Sequence, residues 1–506
     1  TFTLGTSVQN DLFDGIYASG MNVPNNSYDF AQLSLTDPQN EQRSLNSGFA
    51  DKRLTSFFGR IQYDYQGKYL FSGLIRRDGS SAFIKEFRFD QFWALTTGWK
   101  ISEENFLKDN ETISFLKLRA SYGTLGNEVG NNLYRSLLSG EGTYVFDGAL
   151  VDGTAQGGLP NPLAQWETAE KLDIGLDINL FDDKVTIVAD YFEESRKDLL
   201  IANFPVSGIL GTSAPGGGRP TVNAGTSLNT GGELAISYAA IKTEDASLNF
   251  AYNVTYVKNK VTDVTGGAFI EGGSFAIGNL PPSRMEVGQP IGYFYGLQTD
   301  GIFQNQAAID AHPSQAGLGA SVTSPGDIRY KDVNEDGFID INDRTRIGKP
   351  QADFYMGFNF SGTYKNWDFS AYLYSELGKE IVRNYERFLP NVNKPSYYLG
   401  RWTGEGTSNS IPRLTNDATN NKLFSDFFVE DGSFLRLQNV QIGYNINANT
   451  LERIGVSKLR VYTSVNNLFT LTDYSGYDPT VNGGAIGAGI DYGTYPSARQ
   501  FILGLN

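Results

Sequence analysis

Twelve consecutive residues, DVNEDGFIDIND, carry the most specific chemical signal in the chain. Oxygen-bearing side chains occupy positions one, three, five, nine and twelve of this stretch, and Gly337 occupies position six. This is the spacing of an EF-hand calcium loop, whose sharp central turn needs a residue without a β-carbon. We therefore predict that five side chains and one backbone carbonyl bind a calcium ion; the six residues are Asp332, Asn334, Asp336, Phe338, Asp340 and Asp343.

The sequence around this loop indicates a structural ion and not a sensor. A sensor holds its loop between two helices that change their angle, and neither GDIRYK before this loop nor RTRIGKP after it has amphipathic helical spacing. Asp343 also stands where an EF-hand usually has the longer Glu, which should weaken the affinity. The alternative is an acidic, Asx-rich turn that binds no metal.

The remaining residues do not point to catalysis or to nucleic acid. The chain has no cysteine and one histidine, so it offers neither a nucleophile triad nor a histidine-rich metal site. Its formal net charge of −15 argues against binding a polyanion. We predict a protein that is not an enzyme and does not bind nucleic acid. Substrate-binding residues are not assignable from the sequence.

The elements that must hold the loop are long strands. Between Leu172 and Leu180 every second residue is apolar, whereas Asp173 and Asp177 lie on the opposite face, and the same alternation recurs in SLNFAYNVTY and LKLRASY. A strand that spans a membrane needs about 9 to 11 residues, whereas a strand of an ordinary globular protein averages about 5 to 6. The pattern favours a membrane barrel; a large soluble β-sandwich or β-helix is the alternative.

Tight turns allow the strands to be counted. Four turns are predicted at residues 65–68, 181–184, 242–246 and 364–367, and long polar segments lie between them. The predicted strands are 1–9, 53–65, 68–78, 89–101, 115–126, 166–181, 183–198, 230–242, 246–260, 351–364, 366–378, 433–447, 457–471 and 497–506. Strand directions alternate only if 262–350 is one excursion, in which 291–303 does not span. The calcium loop 332–343 would then lie outside the cell.

These observations predict an all-β protein: one large antiparallel transmembrane β-barrel domain over residues 1–506, with long extracellular loops and short periplasmic turns. Because TFTLGTSVQN begins within an alternating strand, we expect the chain to be a segment of a longer precursor.

Eight blocks of sequence, in order along the chain, resemble the SusC-like TonB-dependent outer-membrane transporters of the Bacteroidetes. The blocks are IRRDGSSAF, YGTLGNE, WETAEKLDIGLDINLF, GQPIGYFYGLQTDGIF, GDIRYKDVNEDGFIDINDRTRIG, GSFLRLQNVQIGYNI, NNLFTLTDYSGYDP and YPSARQFILGLN. The resemblance implies that the chain is the C-terminal portion of the barrel, about 14 of about 22 strands. The N-terminal plug and the TonB box would lie outside this chain.

The same resemblance implies a location and partners. It implies an outer-membrane importer, surrounded by membrane lipid, of a nutrient too large for diffusion porins, either an oligosaccharide or an oligopeptide. A SusD-like surface lipoprotein would cover the extracellular loops, and the TonB complex would act through the missing N-terminal part. The alternative function is a secreted, calcium-stabilised β-rich adhesin or glycan-binding module.

Overall fold

One antiparallel sheet of fourteen strands dominates the structure, a computed structural model that describes residues 1–25, 27–37, 43–108, 110–128, 130, 133–136, 138–210, 218–276, 278–320, 322–386, 392–447, 451–452 and 455–506. Each strand pairs with the next along the chain. The strands are β1 (Phe2–Gly20), β2 (Arg43–Tyr65), β3 (Tyr69–Ser80), β4 (Phe89–Lys100), β5 (Ile113–Asn127), β6 (Glu167–Leu180), β7 (Val185–Lys197), β8 (Thr226–Lys242), β9 (Ala246–Asp263), β10 (Phe354–Tyr364), β11 (Trp367–Leu377), β12 (Phe434–Asn445), β13 (Arg460–Thr472) and β14 (Gln500–Leu505).

Alternation along each strand divides the sheet into an outer face and a lumen face. In β6, Ile174 lies opposite Ala120 of β5 and Tyr191 of β7, so apolar partners continue the outer face from strand to strand. Asp173 and Asp177 lie on the lumen face, as the alternation predicts. The described residues of β1 and β14 are the two margins of this sheet and do not pair with each other.

The connections at the two ends of the sheet differ in length. At one end they are residues 66–68, 101–112, 181–184, 243–245, 365–366 and 446–459. We call this the short-connection end. Its tightest turns use left-handed residues, as at Gln66 and Gly67, with φ of 56° and 68°, where the Asp64 carboxylate accepts the N–H of Gly67 at 2.7 Å. The opposite, long-connection end carries 21–42, 81–88, 128–166, 198–225, 264–353, 378–433 and 473–499.

Pairs of aromatic side chains lie on the outer face toward both ends. The pairs are Tyr69–Trp99 and Trp367–Tyr444 toward the short-connection end, and Trp93–Tyr122 and Tyr256–Phe354 toward the long-connection end, and the centroids of the paired side chains are 4.8 to 6.4 Å apart. Aromatic side chains favour the membrane–water interface because one part of each is apolar and, in Tyr and Trp, the other part can hydrogen-bond. The two groups of pairs mark the borders of the apolar part of the outer face, which we call the apolar band.

The described residues of 264–353, 378–433 and 473–499 pack into a folded layer at the long-connection end, which we call the loop layer. It contains buried cores of its own, one around Phe275, Phe294 and Phe428 and another around Tyr330 and Ile339. Its strands are Phe269–Gly272, Ser283–Glu286, Tyr293–Gly296, Thr299–Ile302, Ile328–Tyr330, Thr345–Gly348, Glu380–Arg383, Val429–Asp431 and Ile490–Asp491.

Helices are few and short. The α-helix is Gln306–Asp310, and the 3-10 helices are Tyr28–Phe30, Leu33–Leu35, Ile101–Glu103, Gly208–Leu210, Ala316–Leu318, Ile341–Asp343, Ser396–Gly400, Asn420–Lys422 and Asp426–Phe428. Within the described ranges, no helix has the length and apolar character needed to cross a membrane.

The structure differs from the sequence-based expectation mainly outside the apolar band. β1 and β2 run to Gly20 and from Arg43, well past the predicted 1–9 and 53–65, because their distal halves pair only with each other. A hairpin of the strands Leu138–Phe146 and Ala149–Gln156 was not predicted. The two short strands Leu200–Ile201 and Val222–Asn223, which pair with each other, were not predicted either. The predicted strand 291–303 is two short strands.

Candidate functional site

The predicted calcium loop lies in the loop layer, directly after the strand Ile328–Tyr330. Tyr330 is fully buried, its hydroxyl donates to the Asn420 carbonyl at 2.8 Å, and burial raises its pKa. Toward the end of the loop, Ile339 is also fully buried, and its N–H donates to the Ser314 carbonyl at 3.0 Å. Apolar anchors on both sides of the turn therefore fix the loop to the layer.

A left-handed turn occupies the centre of the loop. Glu335 and Gly337 have φ of 60° and 88°, and the second position fits the prediction that position six must be glycine. The Asp332 carboxylate accepts the N–H of Asp336 at 3.3 Å and that of Gly337 at 2.8 Å. The side chain at position one thus holds the turn in the curvature that an EF-hand loop requires.

Asp343 closes the loop. It is fully buried, and its two carboxylate oxygens accept the N–H groups of Val333 and Asp340, each at 2.8 Å. Position twelve is thereby joined to positions two and nine. A buried carboxylate with two backbone donors is a fixed part of the loop and not a solvated surface charge.

The other predicted ligands lie in the same turn, but their oxygens face backbone donors. Asp336 accepts the N–H of Phe338 at 2.9 Å, and Asp340 accepts that of Asn342 at 2.7 Å. The amide of Asn334 donates to Asp336 at 3.0 Å. Over the described residues, no three His, Cys, Asp or Glu side chains are grouped so that they could hold a metal ion. Calcium binding is not tested by this arrangement and stays a prediction.

A cluster of charges lines the lumen wall near the middle of the sheet. The Arg119 guanidinium on β5 donates to Asp173 at 3.2 Å and Asp177 at 3.1 Å on β6, and to Asp190 on β7 at 2.7 Å. The strand alternation placed Asp173 and Asp177 on this face, but their common partner depends on the register of three strands. The lumen wall is therefore charged and internally paired.

Two further pairs join a strand to a more distant part of the chain, one of them across β12 and the other to the loop layer. Arg460 on β13 lies 2.5 Å from Asp368 on β11, and Arg436 on β12 lies 2.6 Å from Asp478 in the loop layer. In sequence, Arg436 and Asp478 are 42 residues apart, and Arg460 and Asp368 are 92 residues apart. No local spacing could have identified them.

Arg383 is the central charged residue of the loop layer. Its guanidinium lies 2.6 Å from Glu386 and 2.5 Å from Glu430, and it stacks on the Tyr397 ring with 4.5 Å to the centroid. Burial alone lowers the pKa of Arg383, but Glu386, Tyr397 and Glu430 outweigh it and raise that pKa. The cluster joins three separate segments around one buried cation.

Known proteins place this architecture in a family. A model of the family of TonB dependent receptor-like β-barrels matches residues 1–374. TonB-dependent receptor P3 of Formosa agariphila is 33% identical over 469 residues, which cover 90% of this chain and 45% of that protein. TonB-dependent receptor SusC of Bacteroides thetaiotaomicron is 30% identical over 495 residues, covering 93% of this chain and 45% of that protein. The chain thus spans about half the length of the curated relatives it matches.

A solved structure has the same fold. The RagAB peptide transporter superimposes with a TM-score of 0.74 at 22% identity, covering all of this chain (100%) and 53% of the other. The fourteen-stranded antiparallel sheet, the family match and these relatives agree with the resemblance that the sequence blocks indicated. The chain therefore belongs to the TonB-dependent receptor-like β-barrel family and is part of an outer-membrane protein.

Proposed function

We propose that this chain forms the lumen wall and the loop layer of an active importer for a bulky nutrient, an oligosaccharide or an oligopeptide. The observation that carries the proposal is the packed loop layer at one end of a charged, strand-built lumen wall. A passage of this kind needs a fixed wall and a fixed mouth, and it needs no catalytic group.

The relatives support a role in import, but they do not distinguish an oligosaccharide from an oligopeptide as the substrate. RagAB is a peptide transporter, and at 22% identity the likeness of this chain to it concerns the fold. Aromatic and charged side chains at the mouth suit either a sugar or a peptide. Both cargo classes therefore remain within the proposal.

The proposed partners follow from the SusC relationship. A SusD-like surface lipoprotein would cover the loop layer, which we place outside the cell, and the TonB complex would act through parts of the protein beyond this chain. The family consists of receptors and transporters, which supports a non-enzymatic role. The secreted adhesin is not retained, because the chain belongs to an outer-membrane family.

A growth experiment tests this function. The gene for the full-length receptor is deleted in its host, and growth is measured on a panel of oligosaccharides and oligopeptides as sole sources. We expect loss of growth on one cargo class, restored by the wild-type gene and not by a copy that lacks the TonB box. Unchanged growth and unchanged uptake of every compound would contradict import.

We further propose that residues 332–343 bind one calcium ion that stiffens the loop layer. The spacing of six ligand positions, the left-handed Gly337 and the loop closure by Asp343 support this proposal. Four of the proposed ligands, at positions one, five, nine and twelve, are carboxylates, and their mutual repulsion would be relieved by a divalent cation.

Calcium titration of the full-length receptor in detergent tests this second proposal. We expect one site per chain by isothermal titration calorimetry after chelator treatment, and no such site in Asp332→Ala/Asp336→Ala. Hydrogen exchange of 332–343 should slow when calcium is added to the wild type only. An identical titration for both proteins would contradict the site.

A further inference from the structure

A patch of four cations lies where β9 rises above the apolar band. Lys258, Lys260, Arg346 and Lys349 line a cavity of about 360 Å³ together with Asp353. The whole chain has a net charge of −15, so a local excess of three positive charges runs against its overall composition. We call these four residues the basic patch.

Strand parity sets the direction of the lysines. Val261 is fully buried in a core of the loop layer with Met285, so side chains of its parity on β9 point inward. Lys258 and Lys260 have the opposite parity, which they share with Tyr256, and both are exposed. The lysines therefore continue the outer face of the barrel directly above the aromatic pair Tyr256–Phe354.

The patch is mostly without acidic partners. Lys349 pairs with Asp353, and Arg346 donates to the neutral side chain of Gln289 at 3.0 Å. Within the described part of the chain, Lys258, Lys260 and Arg346 make no direct ion pair with a carboxylate, and Glu380 is the acidic group close enough for Arg346 and Lys349 to favour its charged form. Exposed, unpaired cations grouped in one cavity are available to an external anion.

We propose that the basic patch binds the phosphate-bearing head group of a membrane lipid in the leaflet beside the loop layer. Arginine can hold phosphate through two parallel hydrogen bonds, and the lysines add point charges. The acyl chains of the same lipid would lie along Tyr256 and Phe354, which face the apolar band. Cations just above a ring of interfacial aromatics are the arrangement that attracts anionic head groups.

Native mass spectrometry and a binding titration on the full-length receptor in detergent test this site. The probe is bis-phosphorylated lipid A, with dephosphorylated lipid A and inorganic phosphate as separate arms. Because each basic residue contributes about fivefold, Lys258→Gln/Lys260→Gln/Arg346→Gln should weaken lipid A binding by about a hundredfold. The dephosphorylated lipid should bind the wild type and the variant equally.

A matched control removes the same charge elsewhere. Lys108→Gln/Lys242→Gln/Lys458→Gln alters three exposed lysines at the short-connection end and should keep full affinity. An equal loss in both triple variants would overturn the site, as it would reflect net charge alone. Displacement of lipid A by inorganic phosphate at equal concentration would overturn the assignment to a lipid. Heat-modifiable migration on a gel confirms that each variant is folded.

Discussion

Individual residues contribute differently to the stability of the predicted calcium loop. The buried Asp343 carboxylate accepts two partly buried N–H groups, whereas Phe338 would contribute only its backbone carbonyl, and its side chain is 67% exposed. We therefore expect Asp343→Ala to weaken the loop by about 1 to 2 kcal/mol, since it leaves two partly buried donors without their acceptor.

Hydrogen exchange of residues 332–343 measures this loss. Phe338→Ala is the matched control because it keeps the carbonyl, and it should preserve both the exchange rates and calcium binding. Equal exchange in Asp343→Ala and the wild type would show that the buried carboxylate does not hold the loop.

Asp478 should give the loop layer a dependence on acid. Burial alone raises its pKa, but hydrogen bonds from Thr480, Ser497 and Arg436 outweigh burial and hold that pKa well below the ordinary value. A depressed pKa stabilises the folded state above the unfolded aspartate value of about 3.9, and this contribution is lost as pH falls through the lower folded value.

The comparison of wild type with Asp478→Asn tests this dependence. We expect the wild type to be the more stable by a constant margin above about pH 5. The margin should shrink progressively below about pH 4, measured by urea unfolding at a series of pH values. A margin that grows on acidification would reverse the sign of the argument.

At the scale of the strand, the two faces of β4 offer a direct test of the membrane assignment. Leu95 faces outward between Gly73 and Tyr122, and its neighbour Thr96 faces the lumen between Ser72 and Ser121. We expect Leu95→Arg to cost about 1 to 2 kcal/mol in lipid vesicles, because a charge on the lipid-facing side loses its water, less so toward the border of the apolar band than at its midplane.

Thr96→Arg is the control for the same strand and the same substitution. The lumen is polar, so this change should cost much less than Leu95→Arg in urea unfolding of the full-length receptor. Equal costs at the two adjacent positions would contradict the assignment of the faces.

Alternation and tight turns together predicted all fourteen barrel strands, because lipid imposes one apolar face on every spanning strand and short turns separate the strands of a pair. It failed where that constraint ends. The distal part of β1 mixes Asp14, Gly15 and Ile16 without a solvent-shielded face, so its pairing with β2 leaves no periodic trace. The hairpin at 138–156 had a usable signal, the Asp147–Gly148 turn with φ of 50° and 75°.

The site was predictable only where it is local. The six proposed calcium ligands fall within twelve residues, so their spacing alone was enough to propose them, and calcium binding stays a prediction. The partners of Arg119 and Arg383 come from other strands and loops, and the geometry of these clusters depends on register and packing that no local pattern encodes.

At the scale of the whole molecule, Arg383 should determine the order of the loop layer. Removing the buried cation leaves the buried Glu386 and the partly buried Glu430 without an ion-pair partner, so we expect Arg383→Met to cost about 3 kcal/mol locally. Hydrogen exchange should quicken across 380–386 and 429–431 and stay unchanged in β5 to β7.

Lys422→Met controls for the loss of a loop-layer cation that is exposed. It should leave the exchange of all these segments as in the wild type. Uniformly faster exchange through the barrel strands in Arg383→Met would mean that the layer and the barrel fold as one unit.

The buried cores of the loop layer also constrain how such a receptor can diverge. A mouth made of unpacked loops could exchange almost any residue when the cargo changes, whereas Phe294, Tyr330 and Ile339 each support several neighbouring segments. New specificity therefore has to arise on the exposed positions of a retained scaffold. Among descendants of one ancestor that take different nutrients, we expect inherited cores beneath rapidly changing surfaces.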